Sequence, residues 1–185
     1  MSNPWITIPP GPDPPEIINV VVEVPRGGRN KYEMVSDKGQ VYYQLTTVLS
    51  APVFHNGDYG IIPQTIFDNG EPLDCLVVTN EPTFPGCVIE SRPIAILEMI
   101  TGEQRSDTVL AVPVRDRTLA DIKRLDDLPT NLPKEIARYF SLQSELAGDV
   151  TTEVLGWRDA VTARKVIAHS MRLFDKKVRP KLEIR

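Results

Sequence analysis

Proline punctuation restricts this chain more than any other feature. Seventeen prolines stand among 185 residues. Each fixes φ and removes a backbone donor, so neither a long helix nor a central strand runs through one unharmed. The crowding is greatest between Pro4 and Pro15, which reads as an extended arm. Further along, the breaks frame short β-branched and apolar runs. Residues 18–24 form the first good strand. Residues 31–35 and 41–45 predict a hairpin closed around Ser36-Asp37-Lys38-Gly39. Asn56-Gly57-Asp58 marks a turn before a short strand at 59–62, and further strands are expected at 73–78, 88–97 and 109–114. Pro82, Pro85 and Gly86 break the first two of these apart, and a polar segment at 102–108 separates the last two. Many short strands at this spacing predict a sandwich or a closed barrel.

Helical periodicity arrives late. Residues 133–146 carry Ile136, Ala137, Tyr139, Phe140, Leu142 and Leu146 on a helical pattern, with Pro133 suited to the first turn. A second helix is expected after Asp159, a good N-cap, with Ala163, Val166, Ile167, Ser170, Met171 and Phe174 on one stripe. The fold class is therefore mainly β with flanking helices (α+β). The organisation expected is an extended arm at 1–17, one barrel domain at 18–175 and a basic, solvated tail at 176–185.

A net charge of −4 leaves no polybasic footprint, so nucleic acid and anionic membrane surfaces are not expected partners. No apolar run approaches the roughly 20 residues that span a bilayer. The first residues lack the basic and apolar regions of a secretory signal. Cys75 and Cys87 have no metal-ligand spacing and read as buried free thiols. A cytoplasmic setting follows from these features.

The chemistry-bearing stretch is Asn69-Gly70-Glu71-Pro72-Leu73-Asp74-Cys75. It resembles the D-G-D-P-h-D-h loop (h apolar) of the family I soluble inorganic pyrophosphatases. Further elements are similar to that family's: Glu23-Val24-Pro25, Asn30-Lys31-Tyr32-Glu33, Tyr59-Gly60-Ile61-Ile62-Pro63, Pro85-Gly86 with Arg92-Pro93-Ile94, Leu110-Ala111-Val112-Pro113, Asp121-Ile122 with Leu128-Pro129, and Gly156-Trp157. The resemblance covers residues 18–172 and implies a small closed OB-like β-barrel with two C-terminal helices. It also implies magnesium as cofactor, diphosphate or a diphosphate-containing small molecule as substrate, and a homo-oligomer, dimer or hexamer. Pyrophosphate is heavily charged and must be neutralised before water attacks, which the family does with several divalent ions and cationic side chains.

Carried over position by position, the resemblance makes Asp74 the central metal-bridging ligand and Asn69 an uncharged metal ligand. Glu23 and Glu33 become carboxylates near metal-bound water. Glu71 stands for the assisting base, Tyr59 orients metal and water, and Lys31 contacts phosphate. Several positions depart from the family. Asn69 stands for an aspartate, and Glu71 is one methylene longer than the residue it replaces, where a displacement of about 1 Å can cost about 100-fold. Counted from both flanks, two more metal aspartates and a phosphate lysine fall on Thr101, Ser106 and Thr108. A one-residue slip would bring in Asp107, with Glu103 nearby, as weaker metal candidates. A phosphate arginine falls on Thr47, a tyrosine on His55, and a tyrosine–lysine pair on Gln143-Ser144. Three readings follow: a degenerate pseudoenzyme with weak or no magnesium-dependent hydrolysis, retained for binding, assembly or regulation; an active diphosphatase with a rearranged metal site, acting on pyrophosphate or a larger diphosphate; or a purely structural subunit that pairs with an active paralogue. For Tyr32, Tyr42, His55 and His169, packing or surface roles are preferred. Arg26-Gly27-Gly28-Arg29 reads as a basic turn, because it lacks the strand–loop–helix setting of a nucleotide-binding loop.

Overall fold

The computed structural model describes residues 3–37, 40–48, 54–147 and 151–182. Its strands are β1 (Ile18–Val24), β2 (Asn30–Asp37), β3 (Gln40–Val48), β4 (Asp58–Ile62), β5 (Leu73–Val77), β6 (Val88–Thr101), β7 (Gln104–Arg105), β8 (Thr108–Pro113) and β9 (Thr152–Asp159). Helices α1 (Pro4–Thr7), α2 (Leu132–Ala147), α3 (Ala160–Lys177) and α4 (Arg179–Leu182) complete it.

The main sheet runs β1-β4-β5-β8-β6, and β1 also pairs with β6, so five strands close into a ring. The closed OB-like barrel with helices after it is the fold that the sequence predicts. Side chains alternate across each strand. Ile18, Val20, Ile62, Cys75, Val77, Ile96, Val109 and Ala111, drawn from all five ring strands, gather in one cluster with Ala163 and Ile167 of α3. The opposite parity on β5, β8 and β6 places Leu76, Leu97, Met99, Leu110 and Val112 in a second cluster beneath Ile136, Tyr139 and Phe140 of α2. The ring is thus packed on both faces, and α2 covers only part of its outer wall.

Three local differences from the sequence expectation have clear causes. The arm is not extended throughout, because α1 forms over Pro4–Thr7, with its proline at the tolerated start of a helix. β9 was not foreseen as a strand. Gly156 (φ 133°) interrupts its pattern, and the register slips beside it between Glu98 and Met99 of β6. Lys176 and Lys177, expected to open a frayed tail, close the last turn of α3, where cations meet the helix dipole favourably. Asp159 caps α3, accepting from the Thr162 amide at 2.8 Å. Lys38 and Gly39 of the expected hairpin turn lie outside the described residues. Cys75 is buried and Cys87 partly so, both as free thiols.

Gly60 shows how tightly the ring closes. It sits in β4 opposite Val22 of β1, and a Cβ there would meet the Val21 carbonyl oxygen at 2.0 Å. Backbone cannot yield as a side-chain tip can. Gly60→Ala is therefore expected to destabilise the fold by about 3 kcal/mol, the upper part of the usual overpacking range, read as a lowered urea midpoint.

Candidate active site

The site forms on the ring's outer face, beyond the edge of α2. β1 makes a bulge between Val22 and Val24, where Val22 opposes Gly60 and Val24 opposes Tyr59. Glu23 is the residue caught in that bulge, and such irregularities re-aim a side chain. On β2, Lys31 and Glu33 share a face by alternation and pair at 3.2 Å. Tyr59 and Ile61 of β4 and Asp74 of β5 stand on the neighbouring strands. All of these, with Asn69 and Glu71, line one cleft of about 690 Å³. The structure therefore brings together each of the seven residues expected on the main site.

The loop before Asp74 is a set of turns. Gly70 donates to the Phe67 carbonyl at 3.0 Å and Phe67 to the Glu71 carbonyl at 2.8 Å. Gly70 has φ 89°, a conformation costly for any side chain. Asn69 Oδ1 accepts the Glu71 amide at 3.0 Å, an Asx turn. The oxygen foreseen as a metal ligand thus shapes its own loop.

Glu103 and Asp107 do not join the cleft. Glu103 is exposed in the turn between β6 and β7. Asp107 is 2% exposed, accepts from Arg105 Nε at 3.0 Å and from the Met99 amide at 3.1 Å. Asp107 is thus engaged by Arg105 and the Met99 amide and does not face the cleft as a metal candidate. The unslipped positions meet instead: Thr101 Oγ1 and Ser106 Oγ lie 2.7 Å apart, with Thr152 Oγ1 3.0 Å from Thr101. Thr108 pairs with Asp74 across the parallel β5–β8 ladder, and its Oγ1 is buried without a partner. Thr47 lies opposite Lys31. Among the described residues, no three carboxylate, imidazole or thiol groups converge as a metal cluster.

Burial governs the electrostatics. Glu23 is pushed up to about 7 by desolvation, with Lys31 opposing and Asp74 and Glu33 assisting. Asp74 rises to about 6, again chiefly by burial, although the hydrogen bond from Tyr59 and the charge of Lys31 pull it down. Burial disfavours the Lys31 ammonium, yet Glu23 and Glu33 outweigh that and raise it. Lys31 shares this cleft with four carboxylates, Glu23, Glu33, Glu71 and Asp74.

Sequence reasoning missed two parts of the site. Asn3 and Trp5 of the N-terminal segment line the cleft, and no local pattern links residue 5 to residue 74. His55 is 5% exposed and packs between Tyr59 and Tyr139, with Nε2 2.8 Å from the Tyr139 hydroxyl. Its Nδ1 has no partner. The expected packing role holds, but the residue braces the tyrosine that bonds Asp74.

A closed five-stranded ring thus presents carboxylates, a lysine and a tyrosine together in one cleft on its outer wall. Residues 20–175 match the family model described as inorganic pyrophosphatase. An inorganic pyrophosphatase of Halobacterium salinarum is 43% identical over 175 residues, covering 95% of this chain and 98% of that protein. One from Nostoc is 40% identical over 165 residues, covering 89% and 96%. The crystal structure of inorganic pyrophosphatase from Thermus thermophilus superposes with a TM-score of 0.87 at 34% identity, covering 94% of this chain and 99% of that one. The chain belongs to the inorganic pyrophosphatase family.

His55 gives a pH prediction. Burial, with Lys31 nearby, lowers it from 6.5 to about 4. Between those values the unfolded chain binds a proton that the folded one refuses, so stability contributed above pH 6.5 is lost as pH falls towards 4. The contribution is about 3 kcal/mol at about 1.4 kcal/mol per pH unit. His55→Phe leaves the carboxylates titrating as before and removes this loss. Denaturation midpoints for wild type and variant should converge from pH 7 to pH 4; parallel curves would exclude the assignment.

Proposed function

We propose that this protein is a diphosphate-binding member of the pyrophosphatase family whose hydrolysis of inorganic pyrophosphate is slow or lost, and whose retained role is binding or assembly. One observation carries the reading. Positions 101 and 106 hold hydroxyls that bond each other at 2.7 Å, while the carboxylate next in sequence, Asp107, is committed to Arg105.

Donor chemistry fits one hard dication and not a cluster. Asp74 and Glu71 would hold a magnesium ion, with water completing the six oxygens it demands. Bound there, magnesium would screen the substrate's charge and polarise a phosphoryl oxygen. Among the described residues that line the cleft, Lys31 is the one cation that could contact phosphate. Tyr59 orients the Asp74 carboxylate through its hydroxyl. Glu23, poised near neutrality, is suited to accept a proton from water. Thr47, Thr108 and Gln143 supply no charge where the family's phosphate contacts are expected, so a bound pyrophosphate is clamped weakly at its far end.

A homo-oligomer, or an assembly with an active paralogue, belongs to this reading. Tyr42, Leu45 and Val48 on the β2–β3 hairpin, with Phe54 and Phe84, leave large apolar surfaces exposed, which supports a covering partner. No helix among the described residues is long and apolar enough to cross a membrane.

The second reading, an active magnesium-dependent diphosphatase, is favoured by the 43% identity to a protein named inorganic pyrophosphatase. Phosphate release from pyrophosphate with magnesium separates the two. The degenerate site is expected to turn over below about 10 s⁻¹, the median of ordinary enzymes, and a faster rate would establish the active reading. The combined variant Asn69→Asp, Glu71→Asp, Thr101→Asp, Ser106→Asp and Thr108→Lys should raise the rate at least about 100-fold.

Metal binding should report proton linkage as well. Asp74 at about 6 and Glu23 at about 7 must lose protons before a dication is held well. Magnesium affinity by calorimetry is therefore expected to rise from pH 5.5 to pH 8, with proton release that shrinks over the same range. Asp74→Asn should abolish the binding.

A further inference from the structure

The cleft does not end at its carboxylates. Asn3 and Trp5 line the same cavity as Lys31 and Asp74, and Ile61 and Pro72 adjoin them. The N-terminal segment is held there by several contacts. Trp5 donates Nε1–H to the Thr65 carbonyl at 2.9 Å and meets Phe174 of α3 edge-on, centroids 5.4 Å apart at 81°. The Gln64 amide donates to the Trp5 carbonyl at 2.8 Å. The Gln64 side chain donates to the carbonyls of Ile6 and Ile8 at 3.1 and 3.2 Å. Gln64 is the one non-glycine residue with positive φ, 53°, among the described residues. A strained backbone position next to the site thus spends both its amide and its side chain on holding Trp5 in place.

Two properties of this wall select a ligand. The indole N–H is already used, so Trp5 offers the cavity carbon surface and not a donor. A volume of about 690 Å³ falls in the range of roughly 300–1,000 Å³ that holds drug-sized ligands, far beyond an anion of two phosphorus atoms. The charge balance agrees. Inorganic pyrophosphate is ionised at both ends and needs cations at both, whereas Lys31 is the one cation among the described residues that line the cleft. A diphosphate monoester is less charged and replaces one ionised end with an organic group.

We propose that the cleft takes a nucleoside diphosphate, with its diphosphate at Lys31 and its base against the Trp5 wall. Flat heteroaromatic rings gain from stacking on indole without any particular hydrogen-bond pattern. This rests on the reading that the cleft binds diphosphates at all.

Calorimetry on the full chain with magnesium tests it, using ADP, AMP and inorganic pyrophosphate. ADP is expected to bind at least tenfold more tightly than pyrophosphate or AMP. Trp5→Leu should weaken ADP at least tenfold and pyrophosphate less than twofold, whereas Lys31→Ala should weaken both. Folding of each variant is checked by circular dichroism. In Trp157→Phe, which leaves Trp5 as the sole indole, ADP should quench fluorescence and pyrophosphate should not, so a Trp5 variant that fails to fold leaves a decisive measurement. Pyrophosphate binding as tightly as ADP, or Trp5→Leu weakening both alike, overturns the proposal and leaves diphosphate binding standing. Absence of binding by either overturns both.

Discussion

The structure depends on β1 closing the ring. This strand pairs with β4 on one side and β6 on the other, and all seven of its residues are buried. With it in place the five strands have no free edge between them, which removes a hazard that open sheets must manage. Closure also sets the site. Going round the ring through β1, β4, β5 and β8, the outward residues are Glu23, Tyr59, Asp74 and Thr108, one from each strand. Strand spacing of about 4.8 Å holds such a row in contact order without any loop having to position it. The bulge that brings Glu23 into the row is in β1 itself, so the closing strand and the first carboxylate of the cleft are one piece of chain.

Placing carboxylates on a covered face has an electrostatic cost. Glu23 and Asp74 are both raised chiefly by desolvation, so neither holds its charge comfortably without a counter-ion. In a site built for several dications the ions supply that compensation. Where fewer ions bind, each remaining carboxylate repels the others and any phosphate that approaches. Under the proposed reading, hydroxyls at 101 and 106 relieve this by keeping two further negative charges out of the site, whereas a hydroxyl at 108 in place of a lysine removes a cation and leaves phosphate less well held. Together these substitutions make one adjustment, to a lightly charged cleft. The Thr101–Ser106 bond is its visible product: two side chains that would repel as aspartates attract as alcohols.

How much of this was legible in the sequence follows from the range of the interactions. Strand alternation and helix stripes are local, and the ring strands and α2 and α3 stand where periodicity puts them. β9 escaped because Gly156 and a register slip break its alternation, leaving a pattern that only pairing with β6 completes. Within the site, Glu23, Lys31, Tyr59 and Asp74 could be named through motif resemblance. Their convergence is a property of ring closure and has no signature in any one segment. Trp5 was out of reach for the same reason. Its place depends on Thr65, Gln64 and Phe174, residues some 60 to 170 positions away. Asp107 misled for the opposite reason: counting found a carboxylate near the right place, and only the geometry revealed Arg105 upon it.

The landmarks that carry the family resemblance are mostly packing devices. Gly60 is glycine because the β1 backbone passes 2.0 Å from where a Cβ would sit. Gly86 takes φ 93°, and the Tyr43 ring would lie 2.7 Å from its Cβ. Trp157 donates its indole to the Pro133 carbonyl at 3.2 Å and so ties β9 to α2. Arg92 donates to the carbonyls of Ala120 and Ile122 at 3.2 and 2.8 Å. None of these touches the cleft. Sequence identity across such positions therefore tracks the barrel, whereas the chemistry rests on a handful of outward side chains whose exchange costs the fold little. A chain can share this ring in full with active enzymes while its cleft answers to a different ligand, because closure constrains the inside of the barrel far more than the wall that faces substrate.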